Sequence, residues 1–175
     1  KSDRWAHCVL NYPNVKREEV GLWPRSDKFD GVIPNIKAIW WHGSDWFNQL
    51  THINKEIEAV KKLELVVCQD STITPSGLWA DVLLPIATHF ERHGVALPWY
   101  KGHYYIHRPK AIAPLGESKT DFQVFTELAW RLEQLDPTLK DFGKRYNPRA
   151  ERGYFDNPDA TDEAYLAAWW KDKVQ

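Results

Sequence analysis

Methionine is absent from this sequence, and only two cysteines, Cys8 and Cys68, occur in its 175 residues. They form no CxxC pair and no Cys/His cluster, which excludes the usual zinc and iron–sulfur ligand spacings within this chain. Cys68 falls inside an apolar run and reads as a small buried thiol. No apolar run approaches the ~20 residues that a membrane-spanning helix needs. A charge excess is lacking too. With 23 basic and 24 acidic residues and a net charge of −1, there is no electrostatic footprint for nucleic acid. Internal repeats and low-complexity segments are also missing. The lack of any Met, together with Lys1 at the start, leads us to expect a piece of a longer polypeptide.

What is abundant is tryptophan, with ten residues, many outside the predicted strands and helices. Exposed indoles in a small domain usually mark a partner surface, so the chain is expected to pack against other domains.

The stretch from Lys37 to Pro85 organises the rest. Lys37–His42 is apolar and aromatic, and Gly43-Ser44-Asp45 interrupts it. Phe47, Leu50, Ile53, Ile57 and Val60 then recur every three or four residues, which predicts one helix from Phe47 to Val60. Leu65–Cys68 is a short continuous apolar run, as in a strand buried on both faces of a parallel sheet. A polar loop and a short helix lead to a third such run, Val82–Leu84, closed by Pro85. Strand–helix–strand repeats of this kind build an α/β fold with an open, mostly parallel sheet flanked by helices. Ligands of such sheets bind beyond the carboxyl ends of the strands, here at Gly43-Ser44-Asp45 and Gln69-Asp70-Ser71.

The flanks are less regular. Residues 1–35 are rich in turn formers and read as a wrapping arm, with a short helix possible at Trp5–Leu10. His89, Glu91 and His93 invite a metal reading, but H-F-E-R-H is not the H-E-x-x-H order that sets two ligands and a base. Ala96–Pro114 looks extended, as a hairpin or an edge strand. Thr120 opens a helix with a capping box, Thr at the N-cap and Gln123 three residues on. Its predicted stripe is Phe122, Phe125, Leu128 and Leu132. Residues 136–175 read as an irregular segment followed by a helix carrying Tyr165, Leu166, Trp169 and Trp170. The expected division is therefore an arm (1–35), a sheet domain (36–135) and an irregular C-terminal arm with its helix (136–175).

Three groups converge at the rim. Gly43 permits a tight bend and a close backbone approach. Ser44 and the start of the next helix supply donors that suit a phosphate or pyrophosphate. Asp45 serves either as an N-cap or as an acceptor for a ribose hydroxyl. Asp70 can accept two hydrogen bonds from ribose hydroxyls or from the N1–H and N2–H₂ edge of guanine. Asp81, just before the third strand, can do the same. Thr72, Thr74 and Ser76 add hydroxyls between them.

GSDWFNQ at Gly43–Gln49, VVCQDSTITPSGLWADVLLP at Val66–Pro85, FERHGV at Phe90–Val95 and KTDFQVFTELAWRL at Lys119–Leu132 resemble the dimethyl sulfoxide reductase family of bis-molybdopterin guanine dinucleotide enzymes, over roughly Ile36 to Leu132. The resemblance implies the third, Rossmann-like domain of a larger catalytic subunit, one that holds the nucleotide half of a pterin cofactor. It implies that Gly43, Ser44, Asp45 and Asn48 contact the nucleotide, that Gln69 and Asp70 lie near ribose and guanine, and that Thr74, Ser76 and Asp81 complete the site. Asp45, Trp46 and Gly77 depart from the family's usual Asn, Pro and Ala. The parent enzyme would hold molybdenum or tungsten and exchange two electrons, most often with oxygen-atom transfer. It would carry an iron–sulfur cluster in an amino-terminal part, and its partners would be its other domains and an iron–sulfur electron-transfer subunit. Nothing in this chain matches the family's metal-ligating residue, so the fragment alone is expected to be inactive. Two readings from other classes compete: an aromatic-rich carbohydrate-binding module, and a metallohydrolase built on His89, Glu91 and His93.

Overall fold

The computed structural model describes residues 4–15, 35–96, 102, 104–139 and 162–173. The chain divides into two compact units, Lys1–Leu84 and Pro85–Gln175, with the boundary inside the expected sheet domain. In order, the elements are α1 (Arg4–Asn11), β1 (Ala38–His42), α2 (Trp46–Gln49), α3 (Ile53–Val60), β2 (Leu65–Asp70), a 3-10 turn (Gly77–Trp79), β3 (Val82–Pro85), β4 (Gly94–Ala96), β5 (Ile106–Arg108), α4 (Asp121–Leu135), a second 3-10 turn (Pro137–Leu139) and α5 (Asp162–Lys173). Among the described residues no helix is long and apolar enough to cross a membrane.

In the first unit β1, β2 and β3 form one parallel sheet in that order. β1 and β2 run side by side from Ala38 opposite Leu65 to His42 opposite Gln69. β2 is the central strand: Val66, Val67 and Cys68 of its apolar run are buried, as is the polar Gln69, whereas Leu65 at its start is exposed. Trp41 is wholly buried and packs with Phe47, Val60, Val66 and Cys68, flanked by Trp5, Ile39, Trp46, Ile57 and Leu63. The indoles and rings interlock edge-on, Trp41 with Phe47 at 5.3 Å and Phe47 with Trp79 at 6.0 Å between centroids, a geometry that aromatic quadrupoles favour. Part of the predicted arm belongs to this core. α1 packs on α3, Ala6 is fully buried, and Trp5 meets Trp46 edge-on at 5.8 Å.

Two expectations change here. The predicted helix from Phe47 to Val60 is broken: Leu50 is extended and His52 adopts a left-handed conformation at φ 61°. Thr51 and His52 are weak helix formers, and His tolerates that backbone better than most side chains. After the break the buried face of α3 is Glu56, Ala59 and Val60, whereas Ile53 is 43% exposed. β3 is not a buried run either. It ends the sheet, and Val82 and Leu83 are exposed.

In the second unit β4 and β5 pair antiparallel, Gly94 opposite Arg108 and Ala96 opposite Ile106, the hairpin alternative expected for this stretch. A single parallel bridge joins Ile86 to Lys119. α4 begins with the predicted capping box: Thr120 Oγ1 accepts from Gln123 N at 3.2 Å, and Thr120 N donates to Gln123 Oε1 at 3.0 Å. Its closest-packed positions are the small residues Thr126 and Ala129, with Phe122, Phe125, Leu128 and Leu132 only partly buried. Residues 16–34 and 140–161 lie outside the description, as do the side chains of Tyr165 and Trp169.

Thr120→Ala should cost about 1 kcal/mol of unfolding free energy, with Thr120→Ser close to wild type. Equilibrium denaturation followed by circular dichroism measures both.

Candidate functional site

Parallel pairing sends the carboxyl ends of β1 and β2 to one rim, because His42 stands opposite Gln69. The chain leaves β1 through Gly43, whose φ of +64° is the left-handed bend that favours glycine, and an added Cβ there would meet nothing within 4 Å. A ligand can therefore approach this backbone closely. Ser44 Oγ donates to Gln49 Oε1 at 2.5 Å and keeps its acceptor capacity.

Asp45 is not an N-cap. It makes no side-chain bond to its own helix. Instead, Asp45 Oδ1 accepts from Ser76 N at 3.2 Å and from Ser76 Oγ at 2.5 Å. Ser76 is wholly buried, and its Oγ accepts in turn from Phe47 N at 3.0 Å. The helix that follows is only four residues long, too short for an effective dipole, and one of its first amides is committed to Ser76. The helix start predicted to hold a phosphate is thus present but short, with its Phe47 amide already bonded.

Asp70 ends β2, partly exposed. Its Oδ1 accepts from Ser71 N at 2.7 Å, and Oδ2 makes no hydrogen bond among the described residues. Thr74 Oγ1 accepts from Gly77 N at 3.2 Å and meets the Cys68 thiol, which burial pushes above its usual pKa. Gln69 is buried, its Oε1 accepting from Trp40 Nε1 at 3.1 Å. Asn48 is exposed on α2.

Asp81 is not at this rim. Its Oδ2 accepts from Val66 N at 2.8 Å and its own N donates to Val66 O at 2.9 Å. Val66 lies at the amino end of β2, four residues before Asp70, or about 13 Å at strand rise. Parallel β3 has to start where β2 starts, so the carboxylate just before it caps the opposite edge. Gly43, Ser44, Asp45, Asp70, Thr74 and Ser76 are therefore brought to the rim or its supporting loops; Gln69 stands at the same strand end but is buried on Trp40, and Asp81 is held at the opposite edge.

The second unit accounts for the predicted metal residues differently. Glu91 is buried and accepts from Thr88 N at 2.7 Å and Leu115 N at 2.9 Å, and these backbone donors, Thr88 first, hold its carboxyl below the usual value. His93 Nε2 pairs with Glu163 Oε1 at 3.0 Å, while the His89 ring lies tilted against Phe90 at 4.1 Å between centroids. Among the described residues no three His, Cys, Asp or Glu side chains are grouped to hold a metal. A cavity of about 710 Å³ lies here, lined by His93, Val95, His107, Leu166 and Trp170 among others. The sequence reading missed it because its walls come from segments far apart in the chain.

The family model for molybdopterin oxidoreductases matches residues 14–131. The chain belongs to that family. Dimethyl sulfoxide reductase DmsA of Escherichia coli (strain K12) is 39% identical over 134 residues, 73% of this chain and 16% of that protein. Respiratory nitrate reductase subunit alpha of Haloferax mediterranei is 36% identical over 97 residues, 54% of this chain and 10% of the relative. These relatives place the chain in the dimethyl sulfoxide reductase family of molybdopterin enzymes. The chain spans between a tenth and a sixth of the length of the curated relatives described. Acetylene hydratase from Pelobacter acetylenicus shares the fold, with a TM-score of 0.55 at 22% identity over 73% of this chain and 15% of that one. The molybdopterin oxidoreductase match covers both sheet strands that frame the rim.

A carboxylate whose pKa is depressed stabilises the fold above its ordinary value, and that contribution disappears as pH falls through the folded value. Glu91→Gln, which turns an amide donor toward a backbone N–H, should lower the melting temperature at pH 7. The gap to wild type should close as pH drops below 4.5, the ordinary value, in a thermal-unfolding series across pH.

Proposed function

We propose that the Lys1–Leu84 unit holds the guanine-nucleotide part of a molybdopterin guanine dinucleotide cofactor, as one domain of a longer molybdenum or tungsten oxidoreductase. The observation that carries this reading is Asp70: a strand-end carboxylate whose Oδ2 has no hydrogen bond among the described residues, beside a left-handed glycine with open space around it. The N1–H and N2–H₂ edge of guanine needs two adjacent acceptor oxygens. Asp70 offers Oδ2 in full and a second lone pair on Oδ1. Adenine presents an acceptor at N1, which this carboxylate rejects. The residues present thus fit the nucleoside end of the cofactor better than its phosphates.

When bound, the cofactor supplies two-electron chemistry at its metal. This chain's residues contribute anchorage: Asp70 on the base or ribose, the Gly43 and Ser44 backbone against the nucleotide, and Thr74 shaping the loop. In this reading the parent enzyme is a two-electron, oxo-transfer-type reductase like the dimethyl sulfoxide reductase among the relatives. Its remaining domains and an iron–sulfur electron-transfer subunit are its partners, an iron–sulfur cluster lies in a part outside this chain, and the fragment alone does not turn over substrate.

Calorimetric titration tests the reading. GDP should bind with a Kd of about 0.1–1 mM, and Asp70→Ala should weaken it roughly tenfold, near 1.4 kcal/mol. ADP should bind no better than the variant binds GDP. Equal affinity for ADP and GDP, or an Asp70→Ala variant that binds as wild type does, contradicts the assignment.

A further inference from the structure

We propose that Asp45 and Ser76 are positioning residues: a clamp, half-buried at Asp45 and buried at Ser76, that ties the loop after β1 to the loop after β2 and so fixes the opening in which Asp70 meets a nucleotide. The inference rests on the nucleotide reading above, takes the buried Ser76 out of direct ligand contact and gives Asp45 Oδ1 a structural partner.

Ser76 is 0% exposed and its polar atoms are committed. Its N–H and Oγ–H both point at Asp45 Oδ1, at 3.2 and 2.5 Å, and its Oγ receives the Phe47 N–H at 3.0 Å. No surface remains for a ligand to touch. Asp45 fastens its own side equally well, because its backbone oxygen accepts from Asn48 N at 3.1 Å and Gln49 N at 3.0 Å. The other loop is anchored just as firmly. Gly77 N donates to Thr74 Oγ1 at 3.2 Å, and an added Cβ at Gly77 would come to 3.4 Å from Leu83 and 3.8 Å from the Cys68 sulfur. The two loops therefore move as one piece, and a carboxylate with its hydroxyl partner sets their spacing.

Removing Asp45 strands the buried Ser76 donors, and removing Ser76 leaves the half-buried Asp45 carboxylate without them, so the two loops part to satisfy what remains. Two residues acting through one contact should give equal, non-additive losses, whereas two separate ligand contacts should add.

The experiment uses the full chain. GDP affinity is measured by calorimetry for wild type, Asp45→Ala, Ser76→Ala, the double variant and Asp45→Asn, alongside hydrogen exchange at the Phe47 amide. Each alanine variant should lose about tenfold in affinity, and the double variant should lose no more than either alone. Asp45→Asn keeps an acceptor oxygen and should recover wild-type affinity to within about twofold. The clamp is overturned if the losses multiply in the double variant, if the single variants bind as wild type does, or if Asp45→Asn is as weak as Asp45→Ala. Where Ser76→Ala does not fold, the two Asp45 variants decide alone. If wild type binds no GDP, the nucleotide reading fails, and the clamp is judged by exchange: loss of Phe47 protection on Asp45→Ala, restored by Asp45→Asn, upholds it, and unchanged protection overturns it.

Discussion

Parallel pairing of β1 with β2 is the constraint on which the rest depends. It puts Trp41 beside Cys68, so that one wholly buried indole can gather Phe47, Val60 and Val66 around itself. The same register puts His42 beside Gln69, and both strands then release their chains on the same edge. A shift of one residue would turn every side chain of one strand to the other face and send Trp41 out of the core. Burial of that indole therefore fixes the register, and the register fixes which loops share the rim.

Charge at that rim is more sparsely available than its composition suggests. Asp45 and Asp70 are both acidic, yet Asp45 is occupied by Ser76, and Asp81 caps the amino end of β2. Asp70 is left as the rim carboxylate that holds only its own neighbouring amide and ties no second loop. The broken helix matters for the same reason. With only four residues in α2, the rim has little helix dipole to offer an anion, and its chemistry suits hydrogen-bond donors such as those of a guanine edge or a ribose.

What could be read from the sequence follows from how local each feature is. The capping box at Thr120 and Gln123 spans three residues and declares itself by residue type alone. β2 is nearly as plain: Val66, Val67 and Cys68 of its apolar run are buried, although Leu65 at its start is exposed. Gly43 signals its bend because no other residue takes that backbone so readily. The Asp45–Ser76 pair bridges 31 positions, and nothing near either residue announces it. Asp45 looks like an N-cap precisely where its side chain turns to another loop. The helix break at His52 escapes periodicity, because Phe47, Leu50, Ile53 and Ile57 keep helical spacing across it. Asp81 was misplaced because adjacency to a strand does not say which end of the sheet that strand begins from. The shared strand ends followed from the strand–helix–strand pattern, which the parallel pairing of β1 with β2 repeats.

The most direct measurement of the central claim is a map of where a guanine nucleotide touches the protein, by titrating GDP into isotopically labelled chain and following backbone amide resonances. The account predicts that the largest shifts fall at Gly43, Ser44, Asp70 and Ser71, on one edge of the sheet. Shifts centred instead on Val66 and Asp81, or on the His93 and Trp170 cavity of the second unit, would contradict it.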